Sequence, residues 1–85
     1  MTYNFTPRGV CSRAIDIEMD DATHVIKKVV FTAGCSGNTQ GVAALATGMT
    51  AEDAIARIKG IRCGVRPTSC PDQLAQALEQ MLAKL

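Results

Sequence analysis

The chain has 85 residues, a net charge of +1 and a hydrophobic fraction of 47%, with one Tyr, two Phe and no Trp. This length predicts a single small domain, residues 1–85, with an aliphatic core. The near-neutral charge gives no general attraction to nucleic acid or to membranes, so we expect neither as a partner. No apolar stretch approaches the roughly 20 residues that span a bilayer, and the first residues lack the pattern of a signal peptide. We therefore expect a cytoplasmic protein.

The first 33 residues predict three antiparallel strands. Tyr3 and Phe5 alternate with polar neighbours, which indicates a short first strand. A second strand follows Cys11, because apolar and acidic residues alternate there with a period of two: Ile15, Asp16, Ile17, Glu18 and Met19. Turn-forming residues at 20–23 then lead into a β-branched run at 24–33, so the second and third strands should form a hairpin.

The rest of the sequence predicts three helices. The first has apolar residues at helical spacing (Val42, Leu45, Ala46 and Met49) and ends near Gly48. Thr50 and Asp53 resemble a capping box, which starts a second helix with an apolar edge of Ile55, Ile58 and Ile61. The third has a stripe of Leu74, Ala77, Leu78, Met81, Leu82 and Leu85. Strands followed by helices predict an α+β fold, a three-stranded antiparallel sheet covered on one face by three helices.

The start of the last helix is marked by Pro71, which has no N–H to lose and suits the first helical position. Cys70 would then be the N-cap residue. A sulfur at that position faces unpaired backbone N–H groups and the positive end of the helix dipole, which favours the thiolate. We therefore expect Cys70 to be a ligand or a nucleophile, and the most readily alkylated thiol.

Four cysteines lie at the ends of the predicted elements: Cys11, Cys35, Cys63 and Cys70. In a reducing cytosol, four cysteines in so short a chain favour metal binding or redox chemistry over disulfides. Antiparallel pairing places the start of the second strand and the end of the third at one edge of the sheet. The entrance of the last helix at that edge would add the other two thiols. We predict a metal site of four thiolates, which suits Zn²⁺ and an iron–sulfur cluster equally.

The segment Thr68–Asp72 reads Thr-Ser-Cys-Pro-Asp, which resembles the signature of the TSCPD domain. That module is attached to vitamin-B12-dependent ribonucleotide reductases and also forms short free-standing proteins. Residues 34–38 and 48–54 also resemble this family. The resemblance implies a free-standing member, with signature and helix-capping roles for Thr68, Ser69, Pro71 and Asp72. It also implies an accessory role beside a ribonucleoside-diphosphate reductase or another redox protein, because 85 residues hold no self-contained reductase active site.

The order of strands, helices and cysteines is also similar to that of the iron–sulfur scaffolds of the NifU and IscU type. In those proteins zinc or a cluster is held by three cysteines whose places are taken here by Cys11, Cys35 and Cys70. This chain has Ser69 where the scaffolds have a histidine and Arg13 where they have an aspartate. Cys63 is the residue that would supply the fourth ligand.

Two other interpretations of the sequence stay open. Cys63 and Cys70 would serve as a dithiol pair in a thiol redox protein, whereas in a plain interaction module the cysteines would be incidental. A run of basic residues around Cys63, without an acid between its ends, marks a solvated face or an anion site: Arg57, Lys59, Arg62 and Arg66. Metal content of the purified protein separates the metal site from the redox pair.

Overall fold

A computed structural model describes residues 1–34 and 36–85. The described elements are β1 (Thr2–Phe5), β2 (Ala14–Met19), β3 (Ile26–Thr32), α1 (Ser36–Ala46), α2 (Ala51–Ile58) and α3 (Cys70–Ala83). The three strands form one antiparallel sheet in the order β1-β2-β3. The predicted α+β fold is confirmed.

The sheet has one apolar face and one polar face. Along β2 the side chains of Ile15, Ile17 and Met19 are buried, while Asp16 and Glu18 between them are exposed. Successive residues of a strand point to opposite faces, so this alternation places the core on one side of the sheet. The helices cover that side.

β3 is shorter than the sequence predicted. It begins at Ile26, because His24 has a left-handed φ of 63° and Val25 forms an isolated bridge with Thr50 instead of extending the hairpin. The N–H of Ile26 also donates to the carbonyl of Met49 at 2.8 Å. The connection between α1 and α2 is therefore pinned against the beginning of β3.

The first two helices are also shorter than their apolar patterns suggested. α1 ends at Ala46, and Leu45, which the pattern placed on its apolar face, is 78% exposed. α2 ends at Ile58, so Ile61 lies in the following connection rather than on the helix. Residues 59–69 between α2 and α3 have no regular secondary structure, and we call them the connecting loop.

α3 is the helix on which the core is built. Three of its side chains, Leu74, Leu78 and Met81, are fully buried with Ile15, Met19 and Ile26 of the sheet. β1 also contacts α3, since the hydroxyl of Tyr3 donates to Oε1 of Gln80 at 2.6 Å. Among the residues that the structure describes, no helix is long and apolar enough to cross a membrane.

Candidate functional site at the thiol edge

α3 is capped by Ser69, so the prediction that Cys70 is the N-cap is wrong. Ser69 has an extended backbone, and its Oγ accepts a hydrogen bond from the N–H of Asp72 at 3.1 Å. A serine hydroxyl is a better acceptor than a thiol, which makes it the favoured cap. Pro71 is tolerated one position further into the helix because no N–H of the first turn has an intrahelical acceptor.

The capping hydroxyl also makes a contact outside the helix. Oγ of Ser69 donates to the carbonyl of Ile61 at 2.6 Å. Oγ1 of Thr68 donates to the carboxylate of Asp72 and accepts from Nε2 of Gln73 at 2.9 Å. The hydroxyls of the signature therefore tie the connecting loop to the first turn of α3.

Asp72 is the centre of this attachment and is only 6% exposed. Its Oδ1 accepts from the N–H of Gly60 at 2.7 Å, and its Oδ2 accepts from Thr68 and from Nε2 of Gln76 at 3.0 Å. Burial raises the pKa of the Asp72 carboxyl, but the hydrogen bonds from Thr68, Gly60 and Gln76 outweigh burial and hold that pKa below its ordinary value of 3.8. A buried carboxylate that accepts from three donors is an anchor for the loop that carries Cys63.

Cys70 is the first residue of α3 and is 7% exposed. Its Sγ lies 3.3 Å from Oγ of Ser12, which is also buried. Ser12 also lies close to Gly34, where an added Cβ would stand 3.3 Å from Ser12. The segments that carry Cys11 and Cys70 thus meet around Ser12, beside the end of β3.

Cys11 and Cys63 are exposed free thiols linked through Arg66. Nη1 of Arg66 lies 3.7 Å from Sγ of Cys11, and its backbone N–H donates to the carbonyl of Cys63 at 3.0 Å. The N–H of Cys63 in turn donates to the carbonyl of Thr68 at 3.1 Å. We call this end of the molecule, with Cys11, Ser12, Arg66, Cys70 and the connecting loop, the thiol edge.

Cys70 differs from the two exposed cysteines in how easily a reagent can reach it. The expectation that it is the most readily alkylated thiol rested on an N-cap position with Arg62 and Arg66 close in sequence. Cys70 instead lies inside the first turn of α3 and is buried against Ser12. Exposed Cys11 and Cys63 should therefore react first.

The three described cysteines share the thiol edge without forming a metal cluster by themselves. Within residues 1–34 and 36–85, no three His, Cys, Asp or Glu side chains are close enough together to hold a metal ion. The predicted ligand Cys35 lies outside the described residues. Gly34, the residue before it, packs closely on Ser12.

Several contacts that build the thiol edge leave no pattern in the sequence. Ser12, Gln73 and the anchoring carboxylate of Asp72 act through contacts with distant parts of the chain. One signal was present: Ser69 and Asp72 have the same spacing as Thr50 and Asp53, which the sequence already identified as a cap.

Comparison with known proteins supports the family that the signature indicates. The TSCPD domain model matches residues 1–82 of the 85. Searches of curated proteins and of solved structures found no match, so the likeness to the iron–sulfur scaffold fold stays a prediction. With its signature at the entrance of α3 and a match over nearly its whole length, the chain belongs to the TSCPD domain family.

Proposed function

We propose that this protein is a small metal-binding module in which Cys11, Cys35, Cys63 and Cys70 hold Zn²⁺ or an iron–sulfur cluster at the thiol edge. Thiolate is the ligand that both centres prefer, and four ligands complete a tetrahedral zinc site. When bound, such a metal would cross-link the sheet, the connecting loop and α3. A domain of 85 residues gains much from a cross-link of this kind, because its own core is small.

The observation that carries the proposal is the 3.3 Å contact between Ser12 and Cys70. It joins chain segments 58 residues apart and brings the neighbour of Cys11 onto the sulfur of Cys70. The Arg66 guanidinium near the sulfur of Cys11 adds an N–H donor of the kind that stabilises thiolates. Exposed Cys11 and Cys63 can adjust their positions more easily than Cys70, which is fixed by burial.

The proposed partner is inferred from the family and not from the geometry of the thiol edge. TSCPD modules resemble this chain and occur attached to ribonucleotide reductases, so a reductase or another redox protein is the partner we propose. The chain would then be an accessory component, in a reducing cytoplasm where its thiols stay free to bind metal.

Elemental analysis of protein purified without chelator tests the metal site. We expect about one zinc ion, or the iron of one cluster, per chain, and loss of most of that metal in each of the four Cys→Ser variants. His24→Ala is the matched control, because His24 is the single histidine of the chain and lies beside the hairpin turn. That variant should keep its metal.

Two results would contradict the proposal. Wild-type protein free of metal, with a titratable disulfide between Cys63 and Cys70, would favour the dithiol function instead. Metal retained at full stoichiometry in all four Cys→Ser variants would place the metal elsewhere on the chain.

A further inference from the structure

The thiol edge collects exposed arginines. Arg66 contacts Cys11, Arg62 lies next to Cys63, and Arg13 follows Ser12 along the chain. Arg8 joins them, because its backbone N–H donates to Oε1 of Gln73 in the first turn of α3 at 3.0 Å. All four arginines are exposed.

None of these arginines is neutralised by an acid within the described part of the chain. The described ion pairs use other cations: the N-terminal amine, His24, Lys27 and Lys59. Of the acids nearest in sequence, Asp72 is buried and already holds the connecting loop, and Asp16 accepts from Nδ2 of Asn4 at 2.7 Å. Most exposed acids lie on β2 or just after it. Asp20 and Asp21 follow the end of β2 that is farther from Arg13, about 20 Å away over six residues of strand.

Exposed aliphatic side chains accompany the arginines. Val65 is fully exposed at the tip of the turn that the Arg66 N–H closes on the Cys63 carbonyl. Ile61, at the start of the same loop, is 44% exposed. Ile61 and Val65 each precede an arginine in the connecting loop, and arginine with apolar neighbours is enriched where another protein covers the surface.

We propose that the thiol edge is a docking surface for an acidic protein partner, whose carboxylates bind Arg8, Arg13, Arg62 and Arg66 while an apolar side chain covers Val65. The planar guanidinium group matches a carboxylate with two parallel hydrogen bonds. Metal at the same edge would not cancel the attraction, because four thiolates and one divalent cation carry a net charge of about −2 against four arginines.

The chemistry of the surface favours a protein over a nucleic acid. Single-stranded nucleic acids are held by aromatic side chains on which bases stack. The aromatic residues of this chain are partly buried and pack against the core instead: Tyr3, Phe5 and Phe31. A protein surface that carries carboxylates with aliphatic neighbours is therefore the partner that complements the thiol edge.

The inference rests on the proposed function, because docking would bring a partner to the metal site. The charged surface itself is present without metal. Its test therefore uses variants that leave the cysteines untouched. The side chains of Arg13 and Arg62 make no hydrogen bond or ion pair within residues 1–34 and 36–85, so their replacement should leave the fold intact.

Fluorescence anisotropy would measure binding of a labelled peptide made of Glu, Asp and Leu to the full chain at low salt. We expect Arg13→Gln combined with Arg62→Gln to weaken binding about tenfold, at roughly threefold for each exposed charge. Lys27→Gln combined with Lys28→Gln removes the same net charge from β3 and should change binding less than about twofold. Val65→Ser should weaken it roughly threefold, and binding should fall as salt is added.

Metal content of every sample separates this inference from the proposed function. Loss of peptide binding with metal retained supports the docking surface, whatever the metal. Equal losses in the arginine and lysine pairs would overturn it, because the attraction would then depend only on net charge. A single-stranded oligonucleotide that binds while the acidic peptide does not would also overturn it.

Discussion

The N-terminal ends of α2 and α3 have the same capping pattern but make different tertiary contacts. Thr50 and Ser69 each cap a helix by accepting from the backbone N–H of an aspartate three residues on, at 3.2 Å and 3.1 Å. At α2 the aspartate, Asp53, is exposed. At α3 the aspartate, Asp72, is buried and binds Gly60 and Thr68 of the connecting loop.

The difference shows how one capping pattern becomes a tertiary anchor. The hydroxyl of the α2 cap accepts from the N–H of Asp53 in its own helix, while the backbone of Thr50 and Ala51 contacts the segment before β3. The α3 cap satisfies the same groups, and its hydroxyl and carboxylate also hold the loop that carries Cys63. Stability and the geometry of the thiol edge should therefore depend much more on the second pattern.

We expect the largest difference in the free energy of unfolding between variants of the two aspartates. Asp72→Asn places an amide N–H₂ where the carboxylate accepts several hydrogen bonds, so the free energy of unfolding should fall by about 2 kcal/mol. Asp53→Asn changes an exposed side chain and should cost at most about 0.5 kcal/mol. Urea unfolding of both variants measures this, and equal losses would mean that the two entrances are equivalent.

The next effect concerns the capping hydroxyls. Ser69→Ala removes both the cap and the hydrogen bond to the Ile61 carbonyl, and we expect it to cost about 2 kcal/mol. Thr50→Ala removes a cap alone and should cost about 1 kcal/mol. Thermal unfolding monitored by circular dichroism compares the pair, and a larger loss for Thr50→Ala would reverse the comparison.

Local patterns in the sequence predicted the features that depend on local chemistry. Alternation along β2 and the Thr50 cap could be predicted because a strand face and a helix start are set by neighbouring residues. Ser69 was grouped with the helix-capping residues, but the N-cap itself was assigned to Cys70, because Pro71 was placed at the first helical position although the first turn tolerates proline elsewhere. The contacts of Ser12 with Cys70 and of Arg66 with Cys11 join residues 58 and 55 positions apart, and no local pattern reveals them.

Two glycines extend the comparison: Gly34 lies against Ser12, which contacts Cys70 at the start of α3, and Gly48 lies just before α2. Gly34 and Gly48 both have left-handed φ angles, 97° and 93°, so alanine at either position should cost about 1 kcal/mol. At Gly34 the added Cβ would also press on Ser12 at 3.3 Å, whereas at Gly48 nothing lies within 4 Å. Chemical denaturation should show Gly34→Ala as the costlier change by roughly 0.5 kcal/mol, and identical losses would argue against close packing on Ser12.

The smallest effect belongs to Glu52 in the first turn of α2. A hydrogen bond from His24 lowers the pKa of Glu52 below its ordinary value of 4.5. The stabilisation from this contact is therefore present above pH 4.5 and is lost as the pH falls through the lowered value. Glu52→Gln should be slightly destabilising at pH 6 and neutral at low pH or in 1 M salt, as followed by urea unfolding. An effect that persists under both conditions would mean that the contact is not ionic.

The most direct test of the central claim, that the α3 entrance holds a thiol edge built for metal, is the alkylation rate of each cysteine measured by mass spectrometry. In metal-free protein we predict that iodoacetamide modifies exposed Cys11 and Cys63 before buried Cys70. Addition of Zn²⁺ should then protect all four cysteines. If Cys70 reacts as fast as the exposed thiols, or if Zn²⁺ leaves Cys11 and Cys63 unprotected, the account is contradicted.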